Sequence, residues 1–204
     1  MADKSVTQLQ TLLDRQAIEH ILTTYPRAID RLDLDLLKSL YHPDARDSHA
    51  VFEGTAYEFA EHIIEFLRDM FTSTMHHVTH SNIEVHGDIA AAESYYDAYH
   101  LLEGDFDKVA GYFGSTYAER CRNEGTIDAG HEFLCGGRYI DIFTRCRGEW
   151  RIAEREITVE WKHFRPVTRG DSGSGIERVV APAGRDLDDV AYRFFTRAGK
   201  ARIV

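Results

Sequence analysis

Apolar residues in the first third of the chain recur at helical steps. Leu9, Leu12, Leu13, Ile18, Ile21, Leu22 and Tyr25 fall three or four positions apart for most of the run, the spacing that lines one side of an α-helix. Pro26 interrupts it. Proline lacks an amide donor and disfavours helix in the residue before it, so a bend or break is expected there. A short helix is predicted over 34–41, stopped by His42 and Pro43. A short strand is read over 46–52. Gly54 and Thr55 then read as a turn and N-cap for a third helix over 57–70.

After Phe71 the pattern turns to strand. Residues 78–85 are β-rich and end at His86-Gly87-Asp88, a hairpin turn, and 89–102 resumes as the returning strand. Residues 133–145 and 150–164 form a second hairpin around Cys146-Arg147-Gly148-Glu149. Helices followed by an antiparallel meander predict an α+β fold, with the helices on one face of a curved mixed or antiparallel sheet. The other face carries Tyr, Ile and Phe residues of 89–102 and 133–145, which predicts a homo-oligomer. The connection over 103–132 is far longer than a hairpin needs. It holds Phe106, Tyr112, Phe113 and Tyr117 and reads as a lid or a subunit contact. Residues 169–175 form a Gly/Ser/Asp linker. Beyond it, 186–197 is expected to form a helix docking through Leu187, Val190, Tyr192, Phe194 and Phe195. The organisation is thus one domain over 1–168 with an insertion at 103–132, then a linker and arm over 169–204.

Composition narrows the function. At 204 residues and 43% hydrophobic, the chain can bury a sizeable core. Its formal net charge of -10 repels phosphate backbones, so no nucleic-acid partner is expected. No basic run suggests a membrane surface. No apolar stretch approaches the roughly 20 residues of a membrane span, and the first ten residues are polar, so the expected location is cytoplasmic. Cys121, Cys135 and Cys146 lack CxxC spacing and read as reduced thiols in or near the core.

Among the residues able to carry chemistry, Asp30 ends the first helical stretch. Tyr25 lies five positions earlier, off its helical face unless a bend at Pro26 brings the two together. His76 and His80 share strand parity and hence a predicted sheet face, and His100 falls near the end of the following strand. No HExxH or familiar carboxylate spacing accompanies them, so no metal is expected. Arg155 shares parity with Ile157, Val159 and Trp161. An arginine on an apolar face needs a partner, either a substrate anion or leaving group in a cavity or a carboxylate at a sheet edge. The chain has no GxSxG, P-loop or GxGxxG fingerprint, which argues against nucleophilic serine chemistry and a nucleotide cofactor.

Leu12-Leu13-Asp14-Arg15-Gln16-Ala17-Ile18, Tyr25, Ala28-Ile29-Asp30, the stretch LLKSLYHPD over 36–44 and Thr74-Met75-His76 follow in order. After them come Asn82-Ile83-Glu84-Val85-His86-Gly87-Asp88, Gly136-Gly137-Arg138-Tyr139-Ile140-Asp141 and Gly148-Glu149-Trp150-Arg151-Ile152. In this sequence of motifs the chain resembles the SnoaL-like branch of the NTF2-like superfamily over about residues 8–165. The resemblance implies a cone-shaped α+β domain and a trimer, or otherwise a dimer. Scytalone dehydratase, bile-acid 7α-dehydratase and hexachlorocyclohexane dehydrochlorinase, lyases of this branch, use an Asp–His pair for elimination. Asp30 and His76 match that pair. Tyr25, His100 and Arg155 fall at or near further site positions.

The chemistry of such a pair stands without the resemblance. Neutral histidine is a good proton acceptor near pH 7, and a buried aspartate can fix its tautomer and stabilise the imidazolium that forms. The sequence therefore predicts a cofactor-independent lyase of dehydratase type, acting on a hydrophobic cyclic small molecule. An isomerase or cyclase using the same base, or a non-catalytic binding domain, is the alternative.

Overall fold

The computed structural model describes residues 2–49, 52–168 and 183–200. The helix α1 (Ala2–Asp30) runs unbroken through Pro26, against the expected interruption. Proline removes one amide donor. The burial of Ile18, Leu22, Tyr25, Ala28 and Ile29 along the same helix, each at most 2% exposed, outweighs that loss. The helix ends in a Schellman motif: the Asp33 amide donates to the Ala28 carbonyl and the Leu32 amide to that of Ile29. Leu32 occupies the left-handed region at φ 54°. Asp30 is consequently held on the last helical turn.

Helix α2 (Leu34–Ser39) is shorter than predicted, because Tyr41 already begins strand β1 (Tyr41–His49). Gly54 lies within β2 (Phe52–Thr55) rather than in a turn. Thr55 caps α3 (Ala56–Met70) in a reciprocal capping box with Glu58. The remaining strands are β3 (Phe71–His86), β4 (Ile89–Leu102), β5 (His131–Cys146) and β6 (Glu149–Pro166). The β5–β6 turn places Arg147 and Gly148 at φ 55° and 86°, positive at both positions as a type I′ turn requires.

The six strands form one curved open sheet in the order β2-β1-β6-β5-β4-β3. All neighbours are antiparallel except β1 and β6, which run parallel. Helices α1 and α3 pack on its inner face, and the core lies between. Asp14 ties α1 to the β5–β6 hairpin, accepting from Arg145 at 2.6 Å and from the Trp150 indole at 3.0 Å.

The segment over 103–132 folds into α4 (Phe106–Phe113) and α5 (Ser115–Asn123), which pack onto the ends of β5 and β6. The expected linker over 169–175 lies outside the described residues. The arm's helix, α6 (Val190–Lys200), starts later than predicted and makes contact through only part of the expected set. Leu187, Phe194 and Phe195 are exposed. The Arg27 guanidinium lies over the Tyr192 and Phe195 rings, and the Tyr192 hydroxyl donates to Asp33 at 2.7 Å. Arg185 donates to the carbonyls of Leu67 and Phe71. No described helix is long and apolar enough to cross a membrane.

Candidate active site

A cavity of about 310 Å³ opens between the inner sheet face and α1, α3 and α4. Ile29, Phe59, Phe66, Phe71 and Phe133 make it predominantly apolar. Its polar lining comes mainly from tyrosines and histidines.

Asp30 reaches β3 from the end of α1. Its Oδ1 lies 2.7 Å from the His76 ring nitrogen Nδ1, and its Oδ2 accepts the His76 backbone amide at 2.8 Å. One residue is thus gripped at both ring and backbone, which fixes the imidazole's position. With Nδ1–H donating to the carboxylate, Nε2 on the opposite edge carries the lone pair. Burial alone would raise the Asp30 carboxyl, but its hydrogen bonds to the His76 ring and amide and the attraction of that ring hold it below its ordinary value.

His100 stands beside this pair. Thr74 is registered opposite His100 and His76 opposite Ala98, so the two histidines are diagonal neighbours on one sheet face. Their rings meet edge to face with centroids 5.0 Å apart. Burial first, then the proximity of His76, pushes the His100 imidazole down to about 3, so it is neutral near pH 7. His80 does not join them. A bulge between Val78 and Ser81 breaks the alternation that parity assumed, and His80 is exposed. Among the described residues no group of three or more His, Cys, Asp or Glu side chains is arranged to hold a metal ion.

Tyr25 lines the cavity from α1, and its buried hydroxyl has no hydrogen-bond partner among the described residues. Burial raises that hydroxyl well beyond its ordinary value, so it stays protonated and available as a donor. Arg155 is placed differently from a cavity clamp or a sheet-edge ion pair. It sits on the interior strand β6, fully buried behind Tyr25, and does not line the cavity. Its guanidinium donates to both carboxylate oxygens of Asp141 on β5, at 2.6 and 2.9 Å. The rings of Tyr25 and Tyr139 cover it at 4.2 and 4.5 Å. The partner that an arginine on this face requires is a carboxylate of the neighbouring strand.

Other cavity residues escape a sequence-only reading. Cys135 lines the wall, and burial pushes its thiol up to about 11, so it is not a ready nucleophile near pH 7. His49 lines the wall formed by β1 and α3, its ring stacked on Phe59 with centroids 4.8 Å apart. Parity along 46–52 offered the one available hint, because Asp47 and His49 share a strand face. Of the four aromatics expected to form a lid, Tyr112 alone lines the cavity. Phe113 and Tyr117 pack on Phe164 and His131 instead, and Phe106 lies under Arg122.

The SnoaL-like domain model matches residues 10–156. No curated protein sequence matches the chain. Among solved structures, a hexachlorocyclohexane dehydrochlorinase is similar at TM-score 0.61 and 17% identity, covering 81% of this chain and 99% of its own. A putative scytalone dehydratase from Novosphingobium aromaticivorans is similar at TM-score 0.57 and 21% identity, covering 79% and 97%. An NTF2-like superfamily protein from Salmonella enterica serovar Typhimurium is similar at TM-score 0.53 and 18% identity, covering 81% and 99%. These likenesses concern the fold.

Proposed function

The chain belongs to the SnoaL-like domain family, and from that premise we propose that it is a cofactor-independent lyase eliminating water from a hydrophobic cyclic small molecule. The observation that carries this reading is the 2.7 Å contact of His76 Nδ1 with a buried aspartate, on the wall of a mainly apolar cavity. In the proposed reaction His76 Nε2 takes a proton from a carbon next to a carbonyl. The C–H electron pair becomes the new double bond, and the bond to the leaving oxygen breaks. Asp30 stabilises the imidazolium formed on His76. The Tyr25 hydroxyl and the neutral His100 ring offer hydrogen bonds to substrate oxygens. Arg155 acts as a positioning residue, holding Tyr25 from behind.

Acid–base catalysis of this kind is typically worth about 10²–10⁴-fold, and an apolar enclosure strengthens it by excluding water. The similar structures named as a dehydratase and a dehydrochlorinase are consistent with elimination chemistry. A cavity of about 310 Å³ lies at the small end of ligand pockets, which span roughly 300–1,000 Å³, and favours a compact ring system.

A panel of hydroxylated steroids and smaller polyketide-like ring ketones, incubated with the protein and read by mass spectrometry for loss of one water, tests the proposal. Product formation that disappears in His76→Ala supports it. Rearranged product of unchanged mass would indicate an isomerase or cyclase. Binding with no product of any kind would indicate a non-catalytic binding domain.

A further inference from the structure

An elimination that expels hydroxide needs a proton for the departing oxygen as well as a base for carbon. The groups around His76 are poor sources of that proton. His100 is neutral, and burial holds the hydroxyls of Tyr25, Tyr96, Tyr112 and Tyr139 above their ordinary value. His62, also on the cavity, is an exposed α3 residue stacked beside Phe52 and Phe66, with no carboxylate paired to it among the described residues.

The wall formed by β1 differs. Asp47, Arg155 and Asp141 are registered opposite one another across β1, β6 and β5, a buried row in which one guanidinium lies between two carboxyl groups. Arg155 gives both of its hydrogen bonds to Asp141. Asp47 takes one bond from the Tyr41 hydroxyl, at 2.8 Å on Oδ2, while its buried Oδ1 has no hydrogen-bond partner. His49 Nδ1 lies 3.6 Å from that same Oδ1 and is itself buried without a hydrogen bond. Two orphaned polar atoms facing each other in a buried site call for an explanation. A closer approach would bring the pair within hydrogen-bond reach, and catalytic hydrogen bonds are often long before a complex forms. With Nδ1 directed at Asp47, the Nε2 edge of the His49 ring is turned away from that carboxyl.

We propose that His49 is a second acid–base residue of the cavity, held by Asp47, which protonates the oxygen that leaves. The proposal rests on the elimination reading above. His76 accepts the carbon-bound proton, and the C–H electron pair forms the carbon–carbon double bond. The C–O pair stays on oxygen, which takes the Nε2 proton of His49 and departs as water. His76 ends as imidazolium and His49 as neutral imidazole. Exchange of one proton each with solvent restores both. His49 is a catalytic residue in this scheme and Asp47 a positioning residue.

The test compares two probes on the full chain, a bicyclic β-hydroxy ketone and its β-chloro counterpart. Chloride departs without a proton, so only the hydroxy ketone needs the acid. His49→Gln is expected to lower kcat on the hydroxy ketone by about 10²–10⁴-fold and on the chloro ketone far less. Asp47→Asn should show the same selectivity more weakly, and His76→Ala should lose both reactions. Equal losses on both probes in a His49→Gln protein with an unchanged circular dichroism spectrum, or no loss on either, overturn the role of His49 alone. Turnover of neither probe by the unaltered protein, or full turnover by His76→Ala, overturns the elimination reading, and the role of His49 falls with it.

Discussion

Asp30 binds His76 twice, through the ring Nδ1 at 2.7 Å and through the backbone amide at 2.8 Å. The carboxylate sits on the last turn of α1, where the helix dipole disfavours a negative charge. The His76 amide and ring compensate. This arrangement predicts an acid-sensitive contribution to stability. The folded carboxyl titrates below its ordinary 3.8, so its contribution is fully present above that value and is lost as pH falls through the lower, folded value. Thermal melts from pH 6 down to 2 should therefore show a smaller acid loss in Asp30→Asn than in the unaltered chain. Parallel curves would contradict the coupling. The same variant should lose turnover at pH 7.

His100 predicts the opposite protonation behaviour from an exposed histidine. Its folded value is depressed to about 3 against an ordinary 6.5. Between those values the unfolded chain binds a proton that the folded chain refuses, so acidification through this window costs stability. In His100→Gln that part of the acid loss should disappear. Nitrogen NMR on labelled histidine should find the His100 ring neutral at pH 5, and an imidazolium there would refute its burial as a neutral group.

The Arg155–Asp141 pair should behave as a unit of structure. Removing one partner strands a buried charge, typically at a cost of about 3–5 kcal/mol. Arg155→Leu and Asp141→Leu should each destabilise by that order in denaturant melts, and the double variant by much less than the sum. Additive losses would mean that the pair is not coupled.

The outer sheet face carries Met75, Tyr95, Ile140 and Trp161, each more than a third exposed. Trp161 lies against Gly136, where any Cβ would collide with its ring. Apolar side chains gathered on one face are expected to be covered by another copy, in a trimer or a dimer. Light scattering at micromolar concentration should report that mass, and Trp161→Glu should reduce it. A monomeric unaltered protein would leave the face without this role.

The elements were largely legible, because helical spacing and strand alternation are local. Ile89–Leu102 forms the strand its pattern predicts, and Thr55 caps α3 as its residue type suggests. What was not legible depends on irregular register. Counting back from the Arg147-Gly148 turn pairs Asp141 with Glu154. The bulge after Ile142 moves its partner to Arg155. Likewise, counting from the Gly87-Asp88 turn puts Met75 opposite His100. The bulge between Val78 and Ser81 shifts the strand by one residue, bringing His76 and His100 onto one face and turning His80 away. The parallel pairing of β1 with β6 joins segments a hundred residues apart, and with it the placing of Asp47 beside Arg155 lay beyond any local pattern. The helix through Pro26 is a case of tertiary burial overriding a local preference.

The last prediction concerns the segment over 103–132, which we propose tunes ligand choice through one side chain. The segment's four aromatics read as a lid or a subunit contact, and of them Tyr112 is the residue that reaches the cavity. Its ring packs edge to face on Phe71 at 5.2 Å and on Phe133 at 5.5 Å, closing that end of the pocket. Phe113 meanwhile anchors α4 to β6 through Phe164. Removing the whole segment would strip Val109, Tyr117, Ala118 and Cys121 from the core, so a point substitution is the cleaner probe. Tyr112→Ala should cost about 2 kcal/mol, less than the roughly 3–5 kcal/mol of a fully buried aromatic, because the ring is only partly buried. The enlarged cavity should raise KM for compact rings and admit bulkier ones, with the oligomer intact. Unchanged KM and an unchanged ligand range in a folded Tyr112→Ala protein would rule out control of the pocket by this helix. A fall in oligomer mass would instead assign the segment to a subunit contact.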